Sequence, residues 1–305
     1  MDALDRLIEL SRLRGSLQKR CLLGGDWSLD HARMPDGEAL FHVVVSGECV
    51  LRLRDGPETV LRAGHIAMLP RGDAHVLSVH RRVGADVHTS ALTSHFNGAV
   101  TVSTNSQTND PDIDLLCGRF DYLPNALLIA VLPDIVVAPF LSGNVSDLAS
   151  IVGIMRREAD QAGPGALSIV SALCTALFAM MLRAHVALQP ASVDILTLLA
   201  SPRIGASVIA MLERPAEKWT IELLAERSAM SRATYTRAFS ALSVDSPMVL
   251  LARIRMQLAG MLLSRTLKPI AEIADDVGYQ SESAFSKKFK DAFGVGPGLF
   301  RQTRV

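Results

Sequence analysis

The sequence predicts an α+β protein in which a β-rich N-terminal part precedes an all-α C-terminal domain. At 305 residues the chain exceeds the roughly 100–200 residues of one domain, and a hydrophobic content of 49% suffices for separate cores. Residues 41–62 alternate with the period of two that is typical of strands, for example at Cys49, Leu51 and Leu53. From Pro202 onward, apolar residues instead recur at helical spacing.

The elements of the N-terminal part follow from changes in this periodicity. Residues 3–13 are predicted to form a short amphipathic helix, and the period of two begins near Gly15. The predicted strands and turns after it are 41–45, the turn 46–47, 48–54, the turn 55–56, 59–62 and, after a polar loop at 98–112, the strand 115–122. Two long helices are predicted at 145–161 and 167–188.

The second of these helices is apolar on almost every side. Such a helix must be buried, and a subunit interface beside a small barrel would bury it, which predicts a homodimer; internal packing is the alternative. Its most apolar run, Ala166–Leu182, falls short of the ~20 residues that cross a bilayer. The N-terminus lacks the cationic start and apolar core of a secretory signal. We therefore expect a cytoplasmic protein without a membrane partner.

Charge and cysteine usage narrow the function further. The chain has no net charge, yet residues 203–305 hold 15 Lys and Arg against 10 Asp and Glu, which predicts an anionic partner for that third. The four cysteines lie far apart without a Cys-x-x-Cys pair, so neither a disulfide framework nor a zinc ribbon is indicated. Because the sequence has no P-loop, dinucleotide-binding glycine motif or nucleophile–base arrangement, we expect no cofactor and no enzyme activity.

The last forty residues predict a helix-turn-helix unit. A short helix ends at Gly278, and Ser281 occupies the position of an N-cap. Phe285, Phe289 and Phe293 then recur every four residues on one face, which leaves polar and cationic residues outward. This pattern is typical of DNA-binding helix-turn-helix units. A helical hairpin within a larger α domain is the alternative.

A second unit of the same kind precedes it in the chain. The two units span about 220–241 and 269–293, and a long helix at 247–263 joins them. Tyr235 and Phe239 share the inner face of the first unit. Two units joined in this way can place their recognition helices in successive major grooves, about 34 Å apart.

Residues 204–303 resemble the DNA-binding domain of the AraC/XylS family of transcription regulators. The residues that carry the resemblance are Leu224-Ala225, Ser231 through Arg237, Phe239, Arg253, Leu258-Ala259, Leu262-Leu263, Ile273-Ala274, Val277-Gly278-Tyr279, Phe285, Phe289-Lys290, Phe293-Gly294, Pro297 and Phe300-Arg301. One departure is that residues 243–246 lack the glycine usual before Pro247. The resemblance implies binding of double-stranded promoter DNA, contact with RNA polymerase, and activation of transcription.

By the same resemblance, two sets of outward side chains would read the DNA. They are Arg232, Ala233, Thr236 and Arg237 in one groove, and Glu282, Ser283, Ser286 and Lys287 in the other. Arg237 can bond guanine O6 and N7, Glu282 can accept from cytosine N4, and Lys287 can reach a base or a phosphate. Lys288, Lys290 and Arg301 are expected at phosphates. A solvated surface position is the alternative for each of these residues.

Residues 64–75 resemble the second motif of the cupin family. The matching residues are Gly64, Pro70, Gly72 and His75. The asparagine that usually follows is absent, and the first motif survives only as His42 with Gly47. The resemblance implies a cupin-type β-barrel with flanking helices. His42 and His75 are the metal candidates, and the second histidine and the glutamate of the usual ligand set are missing.

The N-terminal two thirds also resemble the cupin sensors of one branch of that regulator family, which responds to reactive chlorine. The shared residues are Met1-Asp2-Ala3-Leu4, Lys19, Cys21, Leu23-Gly24, Asp26-Trp27, His42, Gly47, Gly64, Leu69-Pro70, Ala74-His75 and Cys117-Gly118. The resemblance implies oxidant sensing by Cys21 and Cys117. The polar insertion before Cys117 is longer here, and a cysteine just upstream of that position is absent.

Cationic neighbours support reactive thiols at these two positions. Lys19 and Arg20 precede Cys21, and Arg119 follows Cys117 closely. Positive charge favours the thiolate, and a sensing thiol is expected to be partly exposed. A cysteine that only packs in the core is the alternative.

The sequence thus predicts a cupin-like sensor at 1–140, a helical linker and dimerisation region at 141–200, and a DNA-binding domain at 201–305. Oxidation of Cys21 and Cys117 is the predicted signal, and a small-molecule effector or a metal ion in the barrel is the alternative. A metal-dependent cupin enzyme with an appended helical domain is the alternative from another class. The incomplete ligand set and the paired helix-turn-helix units argue against it.

Overall fold

The computed structural model describes residues 3–54, 56, 58–79, 92–105, 111–140, 146–188 and 195–304. They belong to two compact units. The barrel unit comprises Arg14–Tyr122 and Leu132–Leu188, and the helical unit comprises Met1–Leu13, Leu123–Val131 and Gln189–Val305. Strands occur in the first unit and helices alone in the described part of the second, so the predicted α+β fold class is confirmed.

The described part of the barrel unit contains eleven strands followed by two long helices. The elements are β1 (Arg14–Leu23), β2 (Ser28–His31), β3 (Glu38–Ser46), β4 (Glu48–Leu53), β5 (Glu58–Arg62), β6 (His65–Leu69), β7 (His75–Ser78), β8 (Thr93–Phe96), β9 (Thr101–Thr104), β10 (Ile113–Asp121), β11 (Val136–Pro139), α3 (Ser146–Gln161) and α4 (Ala166–Leu188). The predicted strands at 41–45, 48–54, 59–62 and 115–122 correspond to β3, β4, β5 and β10.

Two sheets enclose the core of the barrel unit. One has the strand order β11-β6-β3-β10-β1-β9-β8 and the other has the order β2-β7-β4-β5. Because successive side chains of a strand point to opposite faces, alternate residues of both sheets meet in one apolar core. That core includes Cys21 and Leu115 from the larger sheet and Leu29, Leu51 and Leu77 from the smaller one.

β10 occupies the middle of the larger sheet, between β1 and β3. On one side Lys19 pairs with Cys117 and Cys21 pairs with Leu115, in antiparallel register. On the other side His42 pairs with Cys117. These pairings bring side chains from three separate stretches of sequence to the same inner face of the barrel.

The predicted loop at 98–112 is wrong in its first half. Thr101–Thr104 forms β9, which pairs in parallel with β1 and antiparallel with β8. Val100 and Val102 alternate with Thr101 and Ser103 as in a strand, but the polar and turn-rich residues around them favour a loop. Backbone pairing with β1 decides the conformation. The rest of the predicted loop, from 106 to 110, lies outside the described residues, as do Met1, Asp2, Asp55 and Val145.

The helix α4 packs within the barrel unit. The Phe178 ring meets the Phe120 ring at 5.1 Å, and the Ser171 hydroxyl donates to the Gly15 carbonyl at 2.9 Å. Leu167 and Ile169 near its start are 57% and 40% exposed. Internal packing therefore accounts for part of this apolar helix, and its role in a dimer stays a prediction.

Among the described residues, two helices reach the length and apolar composition of a membrane span. They are Ala166–His185 and Pro247–Arg265, whose 18-residue apolar windows are 39% and 61% buried. The expectation that the first apolar run is too short is therefore wrong, because the run continues through Arg183 to His185 and reaches 20 residues. Core helices of soluble proteins have the same length and composition, so this property alone assigns no membrane.

The helical unit carries both predicted helix-turn-helix units. Its elements are α1 (Ala3–Ser11), α2 (Leu127–Ala130), α5 (Ile195–Ala200), α6 (Gly205–Glu213), α7 (Ile221–Arg227), α8 (Arg232–Ser240), α9 (Pro247–Arg265), α10 (Ile270–Asp276), α11 (Glu282–Phe293) and α12 (Pro297–Arg304). The first unit is α7 with α8, the second is α10 with α11, and α9 joins them. α1 and α2 come from the N-terminal half of the chain and belong to this unit as well.

We expect Gly118→Ala to destabilise the barrel unit. An added Cβ atom at this position in β10 would overlap the Phe41 ring and the Ser16 carbonyl oxygen. Overpacking of this kind costs about 1–3 kcal/mol, more than the gain from a stiffer unfolded chain. Thermal unfolding followed by circular dichroism should show a lower midpoint.

Gly163→Ala is the matched control for that substitution. An added Cβ atom at Gly163, between α3 and α4, meets nothing within 4 Å. Its unfolding midpoint should equal or slightly exceed that of the parent chain. Equal midpoints for the two variants would show that the packing around Gly118 yields without cost.

Candidate functional site

Cys21 and Cys117 lie side by side inside the barrel unit. Cys21 is opposite Leu115 and Cys117 is opposite Lys19, so the two cysteines are diagonal neighbours on the same face of β1 and β10. Their thiols are hydrogen-bonded to each other. The structure therefore brings together the two cysteines that the sequence predicted as a pair.

The hydrogen bond between these thiols shifts their pKa values in opposite directions. The hydrogen bond from Cys117 lowers the pKa of Cys21, and the positive charge of Lys19 adds to this effect against the opposing effect of burial. The same hydrogen bond and burial raise the pKa of Cys117 well above that of a free thiol. Cys21 is therefore the better thiolate of the two, and the prediction that Arg119 favours a thiolate at Cys117 is wrong.

The expected exposure of these cysteines is also wrong. Cys21 is 0% exposed and Cys117 is 7% exposed, because both side chains point into the core. Large reagents therefore cannot approach either sulfur in the native protein. A reactant that reaches this pair must be small.

Arg20 does not act on Cys21, although it precedes that residue. Its side chain points to the other face of β1, where it binds both oxygens of Asp114 at 3.0 Å and Asp160 of α3 at 2.7 Å. Arg156 of α3 pairs with Asp114 at 3.0 Å as well. Asp114 is 2% exposed, so this network holds α3 against β1 and β10 behind the thiol pair.

Burial is the main influence on the pKa values of the other two cysteines. Burial raises the pKa of Cys49 to about 12, with a smaller contribution from the charge of Glu48. Burial alone raises the pKa of Cys174 to about 12. Both thiols stay protonated at neutral pH, which makes them poor nucleophiles.

Three histidines form a cluster next to Cys117. His42 Nδ1 lies 3.2 Å from Cys117 Sγ, and His42 Nε2 lies 2.8 Å from His75 Nε2. The ring of His31 stacks on that of His75, with 4.5 Å between centroids, and meets the ring of His42 edge-on at 5.0 Å. The metal candidates His42 and His75 are thus in contact.

His31 is not among the residues predicted from the sequence. Its placement follows from the pairing of β2 with β7, which sets His31 opposite His75. A signal did exist, because Leu29 and His31 are two residues apart and share the inner face of β2. Without the pairing of β2, however, nothing in the sequence connects His31 to either cupin motif.

The hydrogen bonds fix the tautomers of two of these rings. A carbonyl oxygen only accepts, so His75 Nδ1, 2.8 Å from the Asp73 carbonyl, carries a proton. In a neutral ring His75 Nε2 is then an acceptor, and His42 Nε2 must donate to it. His42 Nδ1 is left with a lone pair directed at the Cys117 sulfur.

All three rings are neutral at neutral pH. Burial is the largest cause in each case: it lowers the pKa of His31 to about 4, lowers that of His42 well below its usual value, and lowers that of His75. The cluster therefore presents imidazole lone pairs and a thiol rather than positive charge.

In the helical unit, α8 and α11 are built in the same way. Ser231 caps α8 by accepting from the Thr234 amide, and Ser281 caps α11 by accepting from the Ala284 amide, which confirms the predicted N-cap. Gly294, with φ 76°, ends α11. The two helices thus begin fifty residues apart in the same position of their units.

Aromatic side chains fix the inner faces of these helices. Tyr235 and Phe239 are fully buried in the first unit, as are Phe285 and Phe289 in the second. The Phe289 ring also stacks with the half-buried Phe293 ring at 4.5 Å. Packing on one side leaves the opposite side of each helix to solvent.

The predicted DNA-reading residues occupy corresponding positions on those outward sides. In the order of the chain they are Arg232, Ala233, Thr236 and Arg237 on α8, and Glu282, Ser283, Ser286 and Lys287 on α11. All are exposed except Ser286, which is half-buried. Local contacts engage part of the set: Arg232 pairs with Glu222 at 3.2 Å, and Arg237 Nε donates to the Ala233 carbonyl at 3.4 Å.

Comparisons with known proteins agree with both units. Residues 2–187 match the family model described as Cupin, and residues 224–303 match the model described as Helix-turn-helix domain. The RCS-specific HTH-type transcriptional activator RclR of Escherichia coli is 31% identical over 305 residues, which cover 99% of this chain and 98% of that protein. The chain belongs to the AraC-type transcription regulators with a cupin domain.

Other HTH-type transcriptional regulators are similar over the same length. The HTH-type transcriptional regulator MtrA of Neisseria gonorrhoeae is 34% identical over 308 residues, 99% of this chain and 98% of that protein. An uncharacterized HTH-type transcriptional regulator of Haemophilus influenzae is 32% identical over 310 residues, 99% of each chain.

Solved structures align as well. The DNA-binding domain of AdpA in complex with a target DNA is 30% identical and covers 34% of this chain and 93% of its own, with a TM-score of 0.33. ToxT from Vibrio cholerae O395 is 12% identical and covers 96% of this chain and 98% of its own, with a TM-score of 0.40.

Burial predicts how the four thiols of this AraC-type regulator react with a bulky reagent. In the reduced native protein, an aromatic disulfide such as dithionitrobenzoate should label all four slowly, because Cys21, Cys49 and Cys174 are 0% exposed and Cys117 is 7% exposed. In guanidinium the same reagent should label four thiols at once. One thiol that reacts fully and rapidly in the native protein would contradict this arrangement.

Proposed function

We propose that this AraC-type regulator binds promoter DNA through α8 and α11 and responds to reactive chlorine through Cys21 and Cys117. The observation that carries the oxidant part is the buried thiol pair, in which Cys117 hydrogen-bonds to a Cys21 of lowered pKa. The similarity to RclR of Escherichia coli, an RCS-specific activator, supports the same assignment. We infer that the protein acts as a cytoplasmic activator and not as an enzyme.

The reaction follows from the difference between the two thiols. The Cys21 thiolate attacks the chlorine of hypochlorous acid, which forms a sulfenyl chloride and releases hydroxide. The Cys117 sulfur then displaces chloride from Cys21, and the Cys117 proton passes to solvent. The products are one disulfide, chloride and water. Hypochlorous acid is small, which suits a thiol pair that is closed to large reagents.

The disulfide would change the spacing of β1 and β10. Diagonal neighbours on antiparallel strands have Cα atoms about 7–8 Å apart, whereas most disulfides need less than about 6.8 Å. We therefore propose that the two strands shift against each other when the bond forms. Arg20 and Asp114 lie on the other face of these strands and bind Asp160 and Arg156 of α3. We propose that movement of α3 is the first structural consequence of oxidation.

The two recognition helices suit a DNA site with two half-sites. α8 and α11 present equivalent outward positions, so each is placed to enter one major groove. Arg237 is assigned to a guanine, Glu282 to a cytosine, and Lys287 to a base or a phosphate. We further propose that the regulator dimerises through α4, where Leu167 and Ile169 are exposed, and contacts RNA polymerase at its promoters.

Cysteine substitutions test the oxidant assignment in cells. With a reporter gene under the regulator's own promoter, Cys21→Ser should abolish induction by hypochlorite, because the attacking thiolate is lost. Cys117→Ser should reduce induction strongly, because no disulfide can form. Cys174→Ser, which alters a thiol of pKa about 12 on α4, should respond as the parent does. Full induction in both Cys21→Ser and Cys117→Ser would refute the proposal that these cysteines sense the oxidant.

Arginine and lysine substitutions test the DNA assignment. Arg237→Ala should lose discrimination at one base pair, about 1–3 kcal/mol for a bidentate contact to guanine. Lys290→Ala, on the exposed side of α11, should instead weaken binding to all sequences alike and reduce the salt dependence. Binding of randomised DNA at several salt concentrations measures both. If Arg237→Ala weakens every sequence equally, Arg237 contacts a phosphate.

A further inference from the structure

The histidines around Cys117 form an unusual group for the inside of an apolar barrel. His42 is fully buried, His75 is 2% exposed, and His31 closes the group from β2. Burial of an imidazole is costly unless its nitrogens have partners. The Asp73 carbonyl accepts a hydrogen bond from His75 Nδ1, and the backbone of Leu29 lies close enough to His31 to act on its pKa.

One nitrogen in this group lacks a hydrogen bond of normal geometry. His31 Nδ1 is buried and makes no hydrogen bond of normal geometry within the described residues. A buried polar atom left without a partner costs about 1–3 kcal/mol. A second nitrogen, His42 Nδ1, carries a lone pair whose neighbour is the sulfur of Cys117 at 3.2 Å.

These atoms converge on one small volume. A ring nitrogen of His31, a ring nitrogen of His42 and the Cys117 sulfur all lie within 4.8 Å of one another. In a tetrahedral zinc site the bonds are about 2.0–2.3 Å, which places ligand atoms roughly 3.3–3.8 Å apart. Shifts of about 1 Å or less would bring the three donors to that spacing.

The neighbouring hydrogen bonds suit a ligand role for His42. Histidines that bind metals usually donate their other N–H to a carbonyl, carboxylate or water, which fixes the ring and its tautomer. Here His42 Nε2 donates to His75, and His75 in turn donates to the Asp73 carbonyl. This chain holds the His42 ring with its Nδ1 lone pair toward the shared volume.

We propose that His31, His42 and Cys117 bind a divalent transition-metal ion of the zinc class. Two imidazoles and a thiolate suit zinc and related borderline ions, whereas magnesium and calcium prefer oxygen donors. The Cys117 thiol releases its proton to solvent as the sulfur binds. This ligand set differs from the one that the cupin motifs suggest, because His31 and Cys117 lie on β2 and β10, outside those motifs. His75 supports His42 and is a positioning residue.

Metal content and the cobalt spectrum test the site directly in the full chain. The reduced protein, loaded with zinc and then desalted, should retain about one zinc per chain, whereas magnesium should not be retained. Cobalt should give a thiolate-to-cobalt charge-transfer band together with the intense visible bands of tetrahedral coordination. Weak visible bands without the sulfur band, or zinc that is lost on desalting, would overturn the proposal.

Matched variants assign the ligands. His31→Ala should weaken zinc binding at least about tenfold in competition with a chromophoric chelator, and Cys117→Ser should remove the charge-transfer band. The controls are His65→Ala, at a half-buried histidine of β6 that bonds the Arg62 amide, and Cys174→Ser on α4; both should bind as the parent does. Zinc affinity equal to that of the parent in His31→Ala would also overturn the proposal. If the alanine variant does not fold, the same measurement is made on His31→Gln.

The proposal is separable from oxidant sensing. Every measurement uses the reduced protein without an oxidant, so a chain that binds zinc can fail the hypochlorite reporter test, and the reverse is equally possible.

Discussion

The antiparallel pairing of β1 with β10 is the constraint on which the interior of the barrel unit depends. Its register sets Cys21 and Cys117 side by side on the inner face and Arg20 and Asp114 side by side on the outer face. The inner pair consists of two thiols in contact, and the outer pair binds residues of α3. Because the side chains of a strand alternate, one pairing of two stretches nearly a hundred residues apart positions both pairs.

The interior of the barrel unit combines an apolar core with a compact polar group. Most of its side chains are aliphatic, as the stability of two packed sheets requires. Against this background, three neutral imidazoles and two hydrogen-bonded thiols occupy one region. Such groups are costly to bury, so their concentration in one region sets that region apart from the rest of the core. The same cysteine, Cys117, belongs to the thiol pair and to the histidine cluster.

The helical unit was largely predictable from the sequence because its rules are local. Ser281 as a cap, Phe285 and Phe289 on an inner face, and Gly294 as a terminator all act within a few residues, so spacing alone identifies them. The strand β9 was not predictable in this way, since its pairing with β1 depends on residues some eighty positions away. The predicted exposure of Cys21 was wrong for the same reason. No residue near Cys21 in the chain shows that β10 and the second sheet cover it.

The sequence by itself determined the fold class, the two helix-turn-helix units, and the identity of Cys21, Cys117, His42 and His75 as candidate residues. Only the tertiary structure decided which atoms meet. It turned Arg20 away from Cys21, made Cys117 a hydrogen-bond donor of raised pKa, and placed His31 against the other histidines. The reason is physical: periodicity gives the face on which a side chain lies, whereas strand register and sheet packing give its neighbours.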